Sequence, residues 1–479
     1  MHRAAWDESK KYRGHWWSHD GPDYVFPGVL RFDGGRPRLT FSSPPTGQEF
    51  YALADPHVIF GELDSGEKVT LWDLHGNPLH HPLTTQKRIK SRRKFTYAIL
   101  GEHLNSHLAQ EFRFSSYRLR GLLEFSERLT GVPSSLPESE RPKYADASFS
   151  IENDGITYEV SARVENPRQL EISDSGSSQF FPYLAGEDVR MTFECTPSAP
   201  AAVHDMLLLD FKRLLSFAIV EIIPVEKEWL AVADRAEMLP VMRRDSVHDV
   251  RNYAVGNLSS FNMLVTLQDV EPAILFPRWW KAVRDLYPAT EVISSYNQGT
   301  RGVLESSTSS AIAVAERLQE AIDPHATRYS KGVYKEMQEK IKEKFEDDPD
   351  FSAVLKSALG NRLTLREKLN VVSRAVTPER FRLMSIDSSV WVQDVRTVRD
   401  LLAHTGSHVK GRSSGSAVQL TRVNQETRAI ISLLVLKLMG LEDEVPTKQL
   451  RSPHSACRGT GGSRKAKAGW RQSIYSRQL

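Results

Sequence analysis

Cysteine is nearly absent from this chain: 479 residues hold two, Cys195 and Cys457, far apart. No disulfide framework and no thiolate zinc site can be built from one distant pair, so a reducing cytoplasm is the expected setting. Long apolar runs are missing as well. The most apolar stretches, Phe217–Val225 and Ile430–Leu441, are too short to span a bilayer. The N-terminal MHRAAWDESKKYRGHWW lacks the apolar stretch of a secretory signal, so no membrane partner is expected. No internal repeat is visible. Acidic residues vanish at the C-terminus: Thr447–Leu479 carries eight Lys or Arg and no Asp or Glu. With the whole chain at +3, the remainder is therefore at −5, and the basic pI of 8.6 comes from the tail. Whole-chain charge thus gives no firm pointer to nucleic acid.

What is present is an ordinary globular composition, 40% hydrophobic and 26% charged. A mass of 54.2 kDa exceeds what one hydrophobic core supports, so two or three domains are expected. Residues 12–195 read as β. Short apolar runs (Val29–Phe32, His57–Phe60, Val69–Leu74, Phe95–Leu100, Ile156–Val164, Val189–Cys195) alternate with turn signals. Those signals are Asp33-Gly34-Gly35, Asp64-Ser65-Gly66, His75-Gly76-Asn77-Pro78 and Asn153-Asp154-Gly155. Several short strands with no long helix between them predict an antiparallel sandwich or barrel. The period becomes helical over Val203–Ala218. Residues 225–300 are mixed, with Trp279-Trp280 in a helix near their end. From Val303 onward the spacing predicts helices over Thr308–Ile322, Tyr334–Asp347, Phe351–Leu359, Leu363–Ala375, Ser388–Ala403 and Thr421–Leu441. The last is apolar nearly all round, which places it in a bundle core or a subunit interface.

The segment richest in chemistry is Thr397-Val398-Arg399-Asp400-Leu401-Leu402-Ala403-His404-Thr405-Gly406. Trp391, Val395, Val398 and Leu402 form one core-facing stripe, with Arg399 at its flank. Asp400 and His404, four apart, share a face. A carboxylate beside an imidazole favours its protonated form, and an Arg nearby can fork onto a phosphate. Gly406 is placed to end the helix. Arg and His in a last turn equally complement the negative end of the helix dipole, with no catalytic role required.

Other patterns have plainer readings. Gly61-Glu62-Leu63-Asp64-Ser65-Gly66-Glu67-Lys68 mimics a phosphate loop, but Glu67 separates the Gly and Lys and a hairpin is expected there. His75, His80 and His81 fit a polar turn better than a metal site. Lys87, Arg88, Lys90, Arg92, Arg93 and Lys94 form a solvated basic loop or a phosphate contact. Trp16-Trp17 is core or an aromatic recognition pair.

Arg399-Asp400-Leu401-Leu402-Ala403-His404 resembles the Arg–polar–x3–His signature of HEPN domains, at the end of a penultimate helix with a long apolar helix after it. Further segments are similar to the ApeA anti-phage proteins: Ala315-Glu316-Arg317-Leu318, Leu363–Leu369, Gly14-His15-Trp16-Trp17, Val25–Leu30 and Gly66–Leu71. Asp400 stands where many such relatives carry Asn. The resemblance implies a multidomain α+β chain: a β-rich sandwich- or barrel-like domain over 1–225, a mixed connecting region over 226–302, an all-α HEPN bundle over 303–445 and a basic, disordered tail over 446–479. It implies a metal-independent endoribonuclease with no cofactor, acting in abortive anti-phage defence under control of the N-terminal domain. Arg399, His404 and Asp400 would be its catalytic residues. RNA (tRNA or messenger RNA), a second copy of the chain and a phage-derived trigger would be its partners. The competing reading is a non-catalytic HEPN module that binds RNA, a nucleotide or a protein.

Overall fold

The computed structural model describes residues 6–7, 9–33, 36–42, 57–73, 92–105, 109–126, 144–165, 189–219, 223–235, 237–243, 263–295, 304–405 and 414–444. The chain divides into two compact units, Met1–Ser260 with Thr266–Trp280, and Phe261–Val265 with Lys281–Leu479.

The first unit is built on one antiparallel sheet of thirteen strands among the described residues. They are β1 (Tyr12–Ser18), β2 (Gly21–Asp33), β3 (Arg36–Phe41), β4 (Val58–Leu63), β5 (Lys68–Trp72), β6 (Arg92–Lys94) and β7 (Tyr97–Leu100). After them come β8 (Glu111–Leu119), β9 (Tyr144–Asn153), β10 (Ile156–Glu165), β11 (Arg190–Pro200), β12 (Val225–Val232) and β13 (Met238–Arg243). Their order across the sheet is β6-β3-β2-β1-β4-β5-β7-β13-β12-β8-β11-β10-β9. The clearest local cause is in β10, where Tyr158, Val160, Ala162 and Val164 alternate with outward residues and are buried. Its hairpin with β9 turns at Asp154 (φ 50°) and Gly155 (φ 77°), the paired left-handed residues of a type I′ turn.

The two halves of the sheet bury different things. Strands β1–β5 and β7 enclose Trp16, Leu30, Leu39, Ile59, Leu71 and Ala98, joined by Met242 of β13. Phe95 N–H donates to Pro37 O at 2.9 Å, bringing the chain before β7 onto β3 and curling this half toward a barrel. The other half carries helix α2 (Ala201–Ile219) against β8 and β11, after the short α1 (Leu122–Phe125). Residues 226–302 supply β12 and β13, then α3 (Pro272–Asp285) and α4 (Ala289–Ser295). Trp279 and Trp280 are buried within the first unit. Trp279 Nε1 donates to Asp210 O at 2.8 Å, and Trp280 stacks on Phe149 at 4.4 Å.

The second unit is helical and holds α4 together with α5 (Leu304–Ile322), α6 (Lys331–Lys344), α7 (Pro349–Ala358), α8 (Leu365–Ala375), α9 (Pro378–Leu383), α10 (Ser388–Thr405) and α11 (Ser414–Leu438). Local chemistry fixes the starts of two of them. Asp348 accepts from Phe351 N–H with Pro349 in the first turn of α7, and Thr364 with Glu367 forms a capping box at α8. On the charged face of α6, Lys340 pairs with Glu336 at 2.6 Å. The core joins Ala311, Ile312, Ala315, Leu369, Val372, Trp391, Val395, Val398, Ile430 and Leu434. None of the described helices is long and apolar enough to cross a membrane.

Candidate active site

Three side-chain contacts orient the helices around Arg399. Asn424 of α11 donates to Thr308 of α5 at 3.1 Å, Trp391 of α10 donates to Thr427 of α11 at 3.1 Å, and Arg422 of α11 pairs with Asp394 of α10. The contacts 391–427 and 394–422 run α11 opposite to α10, and the approach of Arg399 to Glu316 sets the last turns of α10 beside the second half of α5. The stripe read from the sequence is what seats α10: Trp391, Val395 and Val398 are buried and Leu402 is half-buried. That burial fixes the rotation of the helix and turns Arg399 and Asp400 to its exposed side.

Arg399 is half exposed at 50%, with its Nε 3.7 Å from Glu316 Oε1 on α5. Glu316 is the more enclosed partner at 23%. Asp400 is exposed next to Arg399. His404 follows Asp400 by one turn on the backbone of α10. The His404 side chain, like Gly406, lies outside the described residues. The structure thus brings Arg399 to Glu316, a neighbour that spacing along α10 could not reveal. Of that contact the sequence carried only the Ala315-Glu316-Arg317-Leu318 segment on an upstream helix.

The other sequence candidates resolve differently. Gly61–Lys68 folds as the β4–β5 hairpin, where Leu63 N–H donates to Glu67 O at 2.9 Å and Gly66 turns with φ 81°, so no helix follows it to hold a phosphate. Trp16 is fully buried, and a Cβ at Gly61 would sit 2.3 Å from its ring, so glycine is what lets the indole lie flat on β4. Trp17 is half-buried beside the His103 ring at 5.2 Å. His75, His80, His81 and the start of the basic cluster, Lys87, Arg88 and Lys90, lie outside the described residues, as does the tail after Glu444. Arg92, Arg93 and Lys94 form strand β6 rather than a loop.

Family comparison agrees with this layout. Residues 11–279 match the model of ApeA N-terminal domain 1, and residues 310–445 match Apea-like HEPN. The chain belongs to the ApeA family. Comparison with curated proteins and with solved structures found no match. Its ApeA N-terminal domain is the antiparallel sheet with α2 and the first part of α3, and its Apea-like HEPN domain spans α5 to α11. Within that HEPN domain, Arg399 and His404 occupy the last two turns of the penultimate helix, ahead of the long apolar α11.

Proposed function

We propose that this ApeA-like chain is a metal-independent endoribonuclease that cuts RNA in anti-phage defence under control of its N-terminal domain. The observation that carries the reading is the intact Arg399–His404 spacing at the end of α10 in a HEPN domain, with Arg399 turned outward. In the proposed reaction the ribose 2′-oxygen forms a bond to phosphorus and gives up its proton to an imidazole. The bond from phosphorus to the 5′-oxygen breaks, and that oxygen takes a proton from an acid. Arg399 stabilises the charge on the pentacoordinate phosphate. The products are a 2′,3′-cyclic phosphate and a 5′-hydroxyl. Asp400, one turn before His404, orients the imidazole.

One Arg and one His per chain leave the reaction short of a second proton carrier. A two-fold dimer supplies it by bringing a second copy of the motif to the same phosphate. The apolar residues of α11 from Ile430 to Leu436 are buried in the chain's own core, whereas Val390, Leu401 and Val418 on α10 and α11 are exposed. Pairing through α10 and α11 would cover those three. Light scattering should read a dimer, and a strict monomer with full activity would remove the two-motif arrangement.

The reading is tested on purified full-length chain with total tRNA and messenger RNA, with and without lysate from phage-infected cells. His404→Ala should lower the rate by about 10²–10⁴ and Arg399→Ala by about 10²–10³. Both variants should melt with wild type, because both positions lie off the apolar stripe of α10 and substitutions away from a core typically cost about 1 kcal/mol or less. Asp400→Asn should be milder, and EDTA should leave cleavage unchanged. A His404→Ala chain that folds and still cuts places the chemistry elsewhere. A wild type that binds RNA but never cuts it returns the chain to the binding-module reading.

A further inference from the structure

The Arg399–Glu316 contact is asymmetric in a way that bears on catalysis. Glu316 sits on α5 between Ala315, which is fully buried, and a helix face packed into the core, so its carboxylate has a fixed origin. Arg399 is the freer partner, and its Nε lies 3.7 Å from Glu316 Oε1, an ion-pair distance. A guanidinium offers five N–H donors in a planar fork. One carboxylate beside Nε occupies only part of that fork, and the remaining N–H donors can grip two phosphate oxygens at once. An arginine near a helix end with no such partner spreads over many rotamers, and ordering it on substrate would cost entropy at the moment of reaction.

We propose that Glu316 is a positioning residue for Arg399: its carboxylate holds the guanidinium beside α5 so that the remaining N–H donors are presented to the scissile phosphate. The inference rests on the endoribonuclease reading above. Glu316 touches no reacting atom and moves no proton. It sets the direction of the one fixed positive charge in the motif. An exposed ion pair with no such role would contribute nothing to the rate, so the two cases separate experimentally.

The test uses full-length chain on total tRNA under the conditions in which wild type cuts, with Glu316→Ala, Glu316→Asp, Glu316→Gln, Arg399→Ala and the double variant Glu316→Ala/Arg399→Ala. Glu316→Ala should lower kcat about 10- to 100-fold, the scale expected when a catalytic group is misplaced by about 1 Å, with KM changed less than kcat. Glu316→Asp, which keeps the charge, should recover part of that loss. Adding Glu316→Ala to Arg399→Ala should cost nothing further, because a positioning residue has nothing left to position. The pH profile of Glu316→Ala should keep the wild-type limbs. If Glu316→Ala does not melt cooperatively, the nearly isosteric Glu316→Gln takes its place with the same expected fall in kcat. Wild-type kcat in the Glu316 variants, beside inactive Arg399→Ala and His404→Ala, overturns this inference and leaves the nuclease reading intact. A shifted pH limb, or a further loss in the double variant, overturns it as well. Absence of cleavage by wild type overturns both.

Discussion

His204 shows how one side chain can be specified by burial alone. It is fully buried in α2, with its ring between Ser115 Oγ at 2.8 Å and Phe112 O at 3.1 Å. A carbonyl only accepts, so Nε2–H donates to Phe112 O, and in the neutral ring that burial favours Nδ1 accepts from the Ser115 hydroxyl. Burial lowers its pKa from 6.5 to about 4. The unfolded chain therefore takes up a proton as pH falls through 6.5 while the folded chain does not. Stability is fully present above 6.5 and is lost progressively as pH falls toward 4, by roughly 3 kcal/mol at most. Denaturant midpoints at pH 7.5 and 5 should differ less in His204→Gln than in wild type. An equal pH-dependent loss in both chains would assign it to other groups. From sequence, His204 gave no such signal, because its surroundings come from β8, far away in the chain. Trp16 was half legible: the sequence left it as core or an aromatic recognition residue, and the need for glycine at Gly61 became visible only once β1 and β4 were paired. Arg399 and Asp400 were placed by the period of α10, whereas the meaning of Glu316 depends on a helix packing that no spacing encodes.

At the scale of elements, periodicity was read best where one face is buried and the other is not. The expected Ser388–Ala403 helix is α10 within two residues of its end, and Leu363–Ala375 is α8 with its start displaced to the Thr364 capping box. The break between α6 and α7 is set locally, by Asp348 as a cap and Pro349 as a first-turn proline. The short α9 escaped detection, since six residues hold less than two helical turns. Strands β12 and β13 escaped because they are buried on both faces and so do not alternate: Trp229, Leu230 and Ala231 are buried in succession, as is the run Met238–Met242. What ties them to their neighbours is also non-local. Arg243 at the end of β13 pairs with Glu228 of β12 and, at 2.7 Å, with Asp205 of α2, which in turn accepts from Tyr97 of β7. Burial pushes the Glu228 carboxyl upward while the guanidinium opposes it. Four elements meet in that cluster, and each contributes one of its residues.

For the whole molecule, the order of the two parts was legible because the hydrophobic period changes from two to about 3.6 along the chain. The family matches at 11–279 and 310–445 follow the same order, a β-rich ApeA N-terminal domain and then a helical HEPN domain. The proposed division of labour, with sensing in the first and cutting in the second, makes a chemical statement about RNA ends that no binding protein makes. Attack by the 2′-oxygen leaves a 2′,3′-cyclic phosphate on one fragment and a 5′-hydroxyl on the other, and both can be read by end-selective ligation and sequencing. The most direct measurement maps RNA ends from phage-infected cells expressing wild type beside cells expressing His404→Ala at equal protein level. New ends of that chemistry with wild type, absent with His404→Ala, are what the account predicts. Identical end maps for the two chains, or new ends bearing 3′-hydroxyl and 5′-phosphate, would contradict it.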